Sequence, residues 1–339
     1  MKRIKIAQIG TGHDHAAVTF SSLLRLPQDF QVVGVAECNP ERMSALEQAP
    51  YAHTPHYTVE ELLAMEDLEA VAVETDEELA TAIAQRFADR GKAIHLDKPG
   101  SAGVSSFTRL IETARAQRLP FQMGYMYRYN PLVKRVLNQA KAGVLGEIYS
   151  VEAQMSVRHT PEKRRWLEKY QGGMFYFLGC HLVDLVLQLQ GEPEQVIPLN
   201  TRTGMDGTNA EDLGVVIFKY PRGVSYIKSC ASEFGGFCRR QLVVCGAKGT
   251  VEIKPLEISE SRPYAISGVR TLAVANYEDT ETDAWRDCAD RWDSGVVDRY
   301  DGMMHDFARI IRGEIENPYT LDYELKLFKL LMRCCGVEE

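Results

Sequence analysis

Positive charge is in short supply in this sequence: 39 Lys and Arg stand against 47 Asp and Glu, a formal net charge of −8. That balance argues against a nucleic-acid partner or an anionic membrane surface. Long apolar runs are missing too. The most apolar stretch, Met174 to Leu189, carries His181 and Asp184 and is too short and too polar to span a bilayer. After Met1-Lys2-Arg3 the first apolar run stops at Gly10, so no secretory leader is expected. The 8 cysteines include no C-x-x-C pair. They fall mostly in apolar segments and read as reduced, largely buried thiols, which makes the expected location cytoplasmic. Internal repeats and low-complexity segments are also absent. What is left is an ordinary globular composition in 339 residues, enough for two domains, each with its own core.

The first third of the chain alternates strands with helical patterns. Strands are expected over Arg3–Ile9, Gln31–Ala36, Ala70–Thr75, Ala93–Asp97 and Pro120–Gly124, with a short element near His56-Tyr57. Asn39-Pro40 reads as a helix start, and Gly91 closes a helix over Glu78–Arg90. This alternation predicts a parallel, doubly wound sheet. From Asn130 the pattern changes. A helix over 131–142 leads to a long strand, 147–158, then to the basic run Lys163-Arg164-Arg165 and an apolar helix from about Phe175 to Gln190. Strands follow near 195–203, 212–220, 224–231, 240–245 and 250–254. Tyr220-Pro221-Arg222-Gly223 and Gly246-Ala247-Lys248-Gly249 are hairpin turns, which predicts a large, mainly antiparallel open sheet. Residues 256–300 read as irregular and charged, and one or two helices fill 301–335. The expected domains are 1–123, a Rossmann nucleotide-binding domain, and 124–339, an α/β domain for substrate and oligomerisation.

Gly10-Thr11-Gly12 lies between a strand and a helix, where the backbone can approach a pyrophosphate at the helix N-terminus. The third position of the fingerprint is His15 rather than glycine. Tight turns also use such glycines, and a strand end can carry a solvated acid. The order strand, glycines, helix, strand, Glu37 favours a dinucleotide, because an acid there accepts from the adenosine ribose hydroxyls. It also repels a 2′-phosphate, so NAD is expected and NADP is less favoured.

Lys98 stands at the carboxyl end of the strand 93–97, where a parallel sheet opens to ligand. An ordinary turn lysine is the plain alternative. Helical spacing puts Phe177, His181, Asp184 and Gln188 on one face of an otherwise apolar helix. A satisfied core histidine is the commoner case. Beside a strand-end lysine and a nucleotide loop, a general base for alcohol oxidation is the better reading: the hydroxyl proton must leave as hydride does, and an ammonium steadies the developing alkoxide. Asp184 would orient the imidazole. His181-x-x-Asp184 and His13-x-His15 supply too few ligands at recognisable spacing, so no metal site is expected.

These residues resemble the Gfo/Idh/MocA oxidoreductases (glucose-fructose oxidoreductase, inositol dehydrogenase, rhizopine catabolism) over essentially the whole chain. The matching segments are the Gly10-Thr11-Gly12 turn, Asp97-Lys98-Pro99 for the family's Glu-Lys-Pro, Gly124 to Pro131, Gly172-Gly173 through Asp184, and Gly246 to Thr250. The resemblance implies NAD(P) and a small sugar-like, cyclitol or polyol substrate. It also implies a Lys98-Pro99 bond that is often cis, with Lys98 and His181 as catalytic residues. Cofactor contacts are expected at Gly10, Thr11, Gly12, His13, Glu37, Arg42, Thr75, Asp97, Lys98 and Pro99. The chain departs from the family at Phe177, where an aspartate is common, at Thr75-Asp76-Glu77-Glu78 in place of Thr-Pro-Asn, and at His15. The expected activity is an NAD-dependent oxidoreductase. The alternatives are a redox-neutral enzyme that oxidises transiently through bound NAD, and a non-catalytic nucleotide-binding protein. Apolar residues on both faces of the second sheet, Val216, Phe218 and Tyr226, predict a homo-oligomer, dimer or tetramer, through that sheet.

Overall fold

The computed structural model describes residues 2–259, 266–267, 272–276, 290–291 and 297–337. Much of the segment 256–300 therefore lies outside the described residues, as does Cys288. The chain divides into two units: Met1–Met126 with Arg299–Phe328, and Tyr127–Asp298 with Lys329–Glu339.

In the first unit, β1 (Ile4–Ile9), β2 (Phe30–Ala36), β3 (His56–Tyr57), β4 (Ala70–Val73), β5 (Ala93–Leu96) and β6 (Phe121–Met123) form a sheet in the order β3-β2-β1-β4-β5-β6. Every pairing in it is parallel. Strands β4 and β5, Ala-Val-Ala-Val and Ala-Ile-His-Leu, are buried throughout. A parallel sheet covered on both faces needs such continuous runs, and alternation is lost for that reason. The helices α1 (Ala16–Arg25), α2 (Val59–Ala64), α3 (Glu77–Ala88) and α4 (Val104–Gln117) come from the crossovers. Helix α2 starts with a complete capping box, Thr58 with Glu61. The helix start read at Asn39-Pro40 is a 3-10 helix, Pro40–Glu47, with Asn39 accepting from the Glu41 amide.

Residues 299–328 group with this unit and not with the second, where the 123/124 boundary would put them. The helix Asp301–Ile311 buries Met303, Met304, Phe307 and Ala308. Gln122 donates to the Met303 carbonyl at 3.2 Å, and Arg25 pairs with Asp301 at 2.7 Å. Buried Asp29 holds both Arg312, at 3.0 Å, and His305, at 2.7 Å. Amphipathic spacing announces that this helix has an apolar face. It does not say which of two cores receives it.

The second unit carries α5 (Pro131–Lys141), α6 (Pro161–Leu167) and α7 (Cys180–Gln190). Its strands are β7 (Ile148–Ser156), β8 (Gln195–Thr201), β9 (Leu213–Tyr220), β10 (Gly223–Cys230), β11 (Gln241–Gly246) and β12 (Gly249–Ile253). The short β13 (Ile258–Ser259) pairs with β14 (Ile266–Ser267), while β15 (Leu272–Asn276) and β16 (Asp290–Arg291) extend the main sheet. The order is β16-β15-β12-β11-β7-β10-β9-β8. Among these neighbours β7 and β10 run parallel and the rest antiparallel. Both predicted hairpins are present: Tyr220 pairs with Gly223, and Gly246 with Gly249. Val151, Ala153, Met155, Val216, Phe218, Ile227, Leu242 and Val244 are buried, and on the other face Leu199, Val224 and Tyr226 remain exposed. Among the described residues no helix is long and apolar enough to cross a membrane, and the cysteines are free.

The apolar helix expected over 175–190 is not α-helical at its start. Phe175–Gly179 is a π-helical turn that feeds α7. The extra residue in that turn rotates Phe177 off the stripe that an unbroken α-helix would give it with His181. Asp184 and Gln188 keep the α spacing and are hydrogen-bonded to each other, at 2.9 Å.

Candidate functional site

The loop after β1 is shaped by its glycines. Gly10 has φ +91°, and a Cβ there would lie 2.6 Å from the Thr75 Cα. A Cβ on Gly12 would lie 2.8 Å from the Asp76 carboxylate. Glycine is required at both positions for the loop to rest against the end of β4. Gly10 donates to the Ala36 carbonyl, so the loop also follows the end of β2. There Glu37, largely buried, accepts from the Thr11 amide at 2.7 Å, from the Thr11 hydroxyl, and from the amides of Cys38 and Asn39 at 2.8 Å. The carboxylate thus fixes the loop and stands at the strand end that a ribose diol needs. Strand order, glycine cradle and strand-end acid fit a dinucleotide. Arg42 and Asp76 form a two-pronged pair, Nη2 to Oδ1 at 2.8 Å and Nε to Oδ2 at 3.2 Å, joined by the Asn39 amide. Of the three acids at the start of α3, Asp76 is paired, Glu77 is turned inward and Glu78 is exposed.

Asp97 and Lys98 follow β5 and are both buried, Lys98 at 1% exposure. The Lys98-Pro99 peptide is cis. The Lys98 amide donates to Asp97 Oδ1 at 2.6 Å. A Cβ on Gly124 would lie 2.4 Å from that oxygen, so the glycine after β6 makes room for Asp97. The other oxygen, Oδ2, lies 3.0 Å from His13 Nδ1 and 2.9 Å from His15 Nδ1. Burial alone would raise the Asp97 pKa, but the two histidines hold it well below the usual carboxylate range. Burial works against charge on His13, and Asp97 outweighs it, so the His13 pKa is raised. For His15 burial prevails and lowers the pKa to about 4. Glu74, at the end of β4, is pushed well above its ordinary value by burial and then by Asp97. His13 was expected as a cofactor contact and His15 only as a missing glycine. The structure brings both onto Asp97.

In the second unit, His181 is buried and meets the Tyr127 ring edge-on, centroids 5.0 Å apart. The Tyr127 hydroxyl donates to Glu257 and receives a hydrogen bond from Arg240 at 2.9 Å, and Arg240 pairs with Glu257. Asp184 accepts from Arg128 twice, Nε to Oδ2 at 3.0 Å and Nη2 to Oδ1 at 2.9 Å, with both side chains hidden from solvent. Phe177 packs on Trp166, centroids 5.3 Å apart, and on His159, 6.0 Å apart. The Lys163 ammonium lies over the Trp166 ring at 3.7 Å and over Phe177 at 4.4 Å. The position that carries an aspartate in the resembling family is thus part of an aromatic cluster here. Arg128, Tyr127 and Glu74 escaped the sequence reading as site residues. An arginine-aspartate pair 56 positions apart carries no local signal.

Comparison with known proteins agrees with this picture. Residues 4–125 match the oxidoreductase family with an NAD-binding Rossmann fold, and residues 133–252 match the Gfo/Idh/MocA C-terminal domain. A trans-1,2-dihydrobenzene-1,2-diol dehydrogenase of Sus scrofa is 24% identical over 244 residues, 69% of this chain and 70% of the relative. A D-xylose 1-dehydrogenase (NADP(+)) of Haloferax volcanii is 25% identical over 190 residues, 56% of this chain and 58% of its own length. Among solved structures, a levoglucosan dehydrogenase in complex with NADH and L-sorbose superposes with a TM-score of 0.81 at 15% identity, covering 99% of this chain and 97% of that one. At that identity the likeness shows the fold alone. The two family matches take in well over half of the sequence and both of its sheets, and the chain therefore belongs to the Gfo/Idh/MocA family of oxidoreductases.

Proposed function

We propose that this oxidoreductase transfers hydride between NAD and a hydroxyl-bearing carbon of a sugar, cyclitol or related polyol. The observation that carries the proposal is a buried lysine, Lys98, at the carboxyl end of β5 in Asp97-Lys98-Pro99, within a sheet of the dinucleotide-binding order. When bound, the nicotinamide supplies the hydride acceptor. The Gly10-Thr11-Gly12 loop and Glu37 would hold the nucleotide. Lys98 would steady the oxygen of the reacting carbinol and His181 would take its proton, the roles that the family resemblance implies. Asp184 serves by holding α7 through Arg128. The test offers polyols, cyclitols and aldoses with NAD and follows nicotinamide absorbance. NADH accumulating with one substrate class supports the proposal. Conversion of a substrate without accumulation would overturn it.

Within this reading NAD binds more tightly than NADP. A 2′-phosphate loses the hydrogen bond from ribose to Glu37 and faces a carboxylate already fixed by four donors. The cost is about 1–3 kcal/mol. Fluorescence titration of both cofactors checks it, and equal or tighter NADP affinity contradicts it.

The exposed face of the second sheet is proposed to meet a second copy of the chain. Leu199 is 53%, Val224 46% and Tyr226 43% exposed there, apolar surface that a monomer would leave in water. Light scattering at micromolar concentration should give the mass of a dimer or tetramer.

A further inference from the structure

We propose that His13, His15 and Asp97, closed by Glu74, bind a divalent transition-metal ion of the zinc type. One donor atom from each of His13, His15 and Asp97 lies within 4.8 Å of the other two, and Nδ1 of His13 and of His15 stand 3.0 Å and 2.9 Å from Asp97 Oδ2. Two imidazoles and a carboxylate are the donors such ions select. His13 Nδ1 stands 3.0 Å from Asp97 Oδ2 and accepts the His15 amide proton at 3.2 Å, so an imidazole nitrogen and a carboxylate oxygen already converge there.

Glu74 points to the same place independently. Its side chain is fully buried, and neither oxygen has a hydrogen-bond partner among the described residues. One of them, Oε2, is 3.6 Å from His13 Nδ1. A buried polar group without a partner is costly, and a bound cation removes the cost.

This site stands whether or not the chain oxidises a polyol. The test uses the full-length chain, stripped with a chelator and titrated with Zn2+ by calorimetry and with Co2+ by visible absorption. One ion per chain is expected, with protons released as donors are freed and with the d–d bands of a cobalt site bearing nitrogen ligands. His15→Asn and Asp97→Asn should each weaken Zn2+ at least about tenfold. His15 reaches solvent at the rim of the cluster, so its variant decides the matter if Asp97→Asn fails to fold. The proposal is overturned if the stripped chain takes up no stoichiometric Zn2+. It is overturned equally if folded His15→Asn binds as tightly as the unaltered chain, because the ion would then be held elsewhere.

Discussion

Lys98→Ala and His181→Ala each lower turnover on the identified substrate roughly a hundredfold or more, the range expected when a proton-transfer or alkoxide-stabilising group is lost. Both side chains are almost fully buried, which keeps water from substituting for them. The lysine is fixed from its backbone, since the Lys98 amide donates to Asp97. The histidine is fixed by the Tyr127 ring, itself anchored through its hydroxyl to Arg240 and Glu257. Cofactor affinity is measured in parallel, because Lys98 follows β5 at the cofactor end of its sheet. A fall in turnover with NAD binding near native for His181→Ala is the expected pattern. If both variants turn over at near-native rates and still bind NAD, the working site lies elsewhere.

Arg128→Met destabilises the chain by about 3–5 kcal/mol, the usual penalty for removing one partner of a buried ion pair. Arg128 and Asp184 are each 1% exposed and meet through two hydrogen bonds. Removing the guanidinium takes two hydrogen bonds and the paired charge from a buried carboxylate. The double variant Arg128→Met/Asp184→Leu should recover most of the loss, because an apolar pair of similar volume leaves no buried charge. Denaturant midpoints with unchanged slopes distinguish this from a change in the unfolded state. A single variant that loses less than about 1 kcal/mol would show that Asp184 is not held by this pair.

Local patterns carried the first sheet far. The runs at β1, β4 and β5 are apolar because both faces of a parallel sheet are covered, and that feature survives in a one-dimensional reading. Turn chemistry did the same for the two hairpins, whose glycines sit at the pairing ends that were expected. The helix Asp301–Ile311 shows where such patterns stop. Its apolar stripe is plain, but the core that takes it belongs to the first unit, whose other residues end at Met126, 175 positions before the helix begins. The π-helical turn Phe175–Gly179 is a second case. Face arithmetic assumes one pitch, and a single widened turn moves Phe177 into the Trp166 cluster.

The sequence by itself determined the two folds, and it singled out the glycine loop, Glu37, Lys98 and His181 as candidates, because each rests on neighbours within a few residues or on a motif of fixed spacing. Only the tertiary structure decided what those residues touch. What His13 and His15 face was not legible locally: Asp97, 82 positions beyond His15, meets both, and Glu74 approaches His13. Asp184 was read against His181 on its own helix, and its carboxylate is gripped by Arg128 from another segment. Contacts between residues far apart in the chain are set by the packing of whole strands and helices, and no local preference records them.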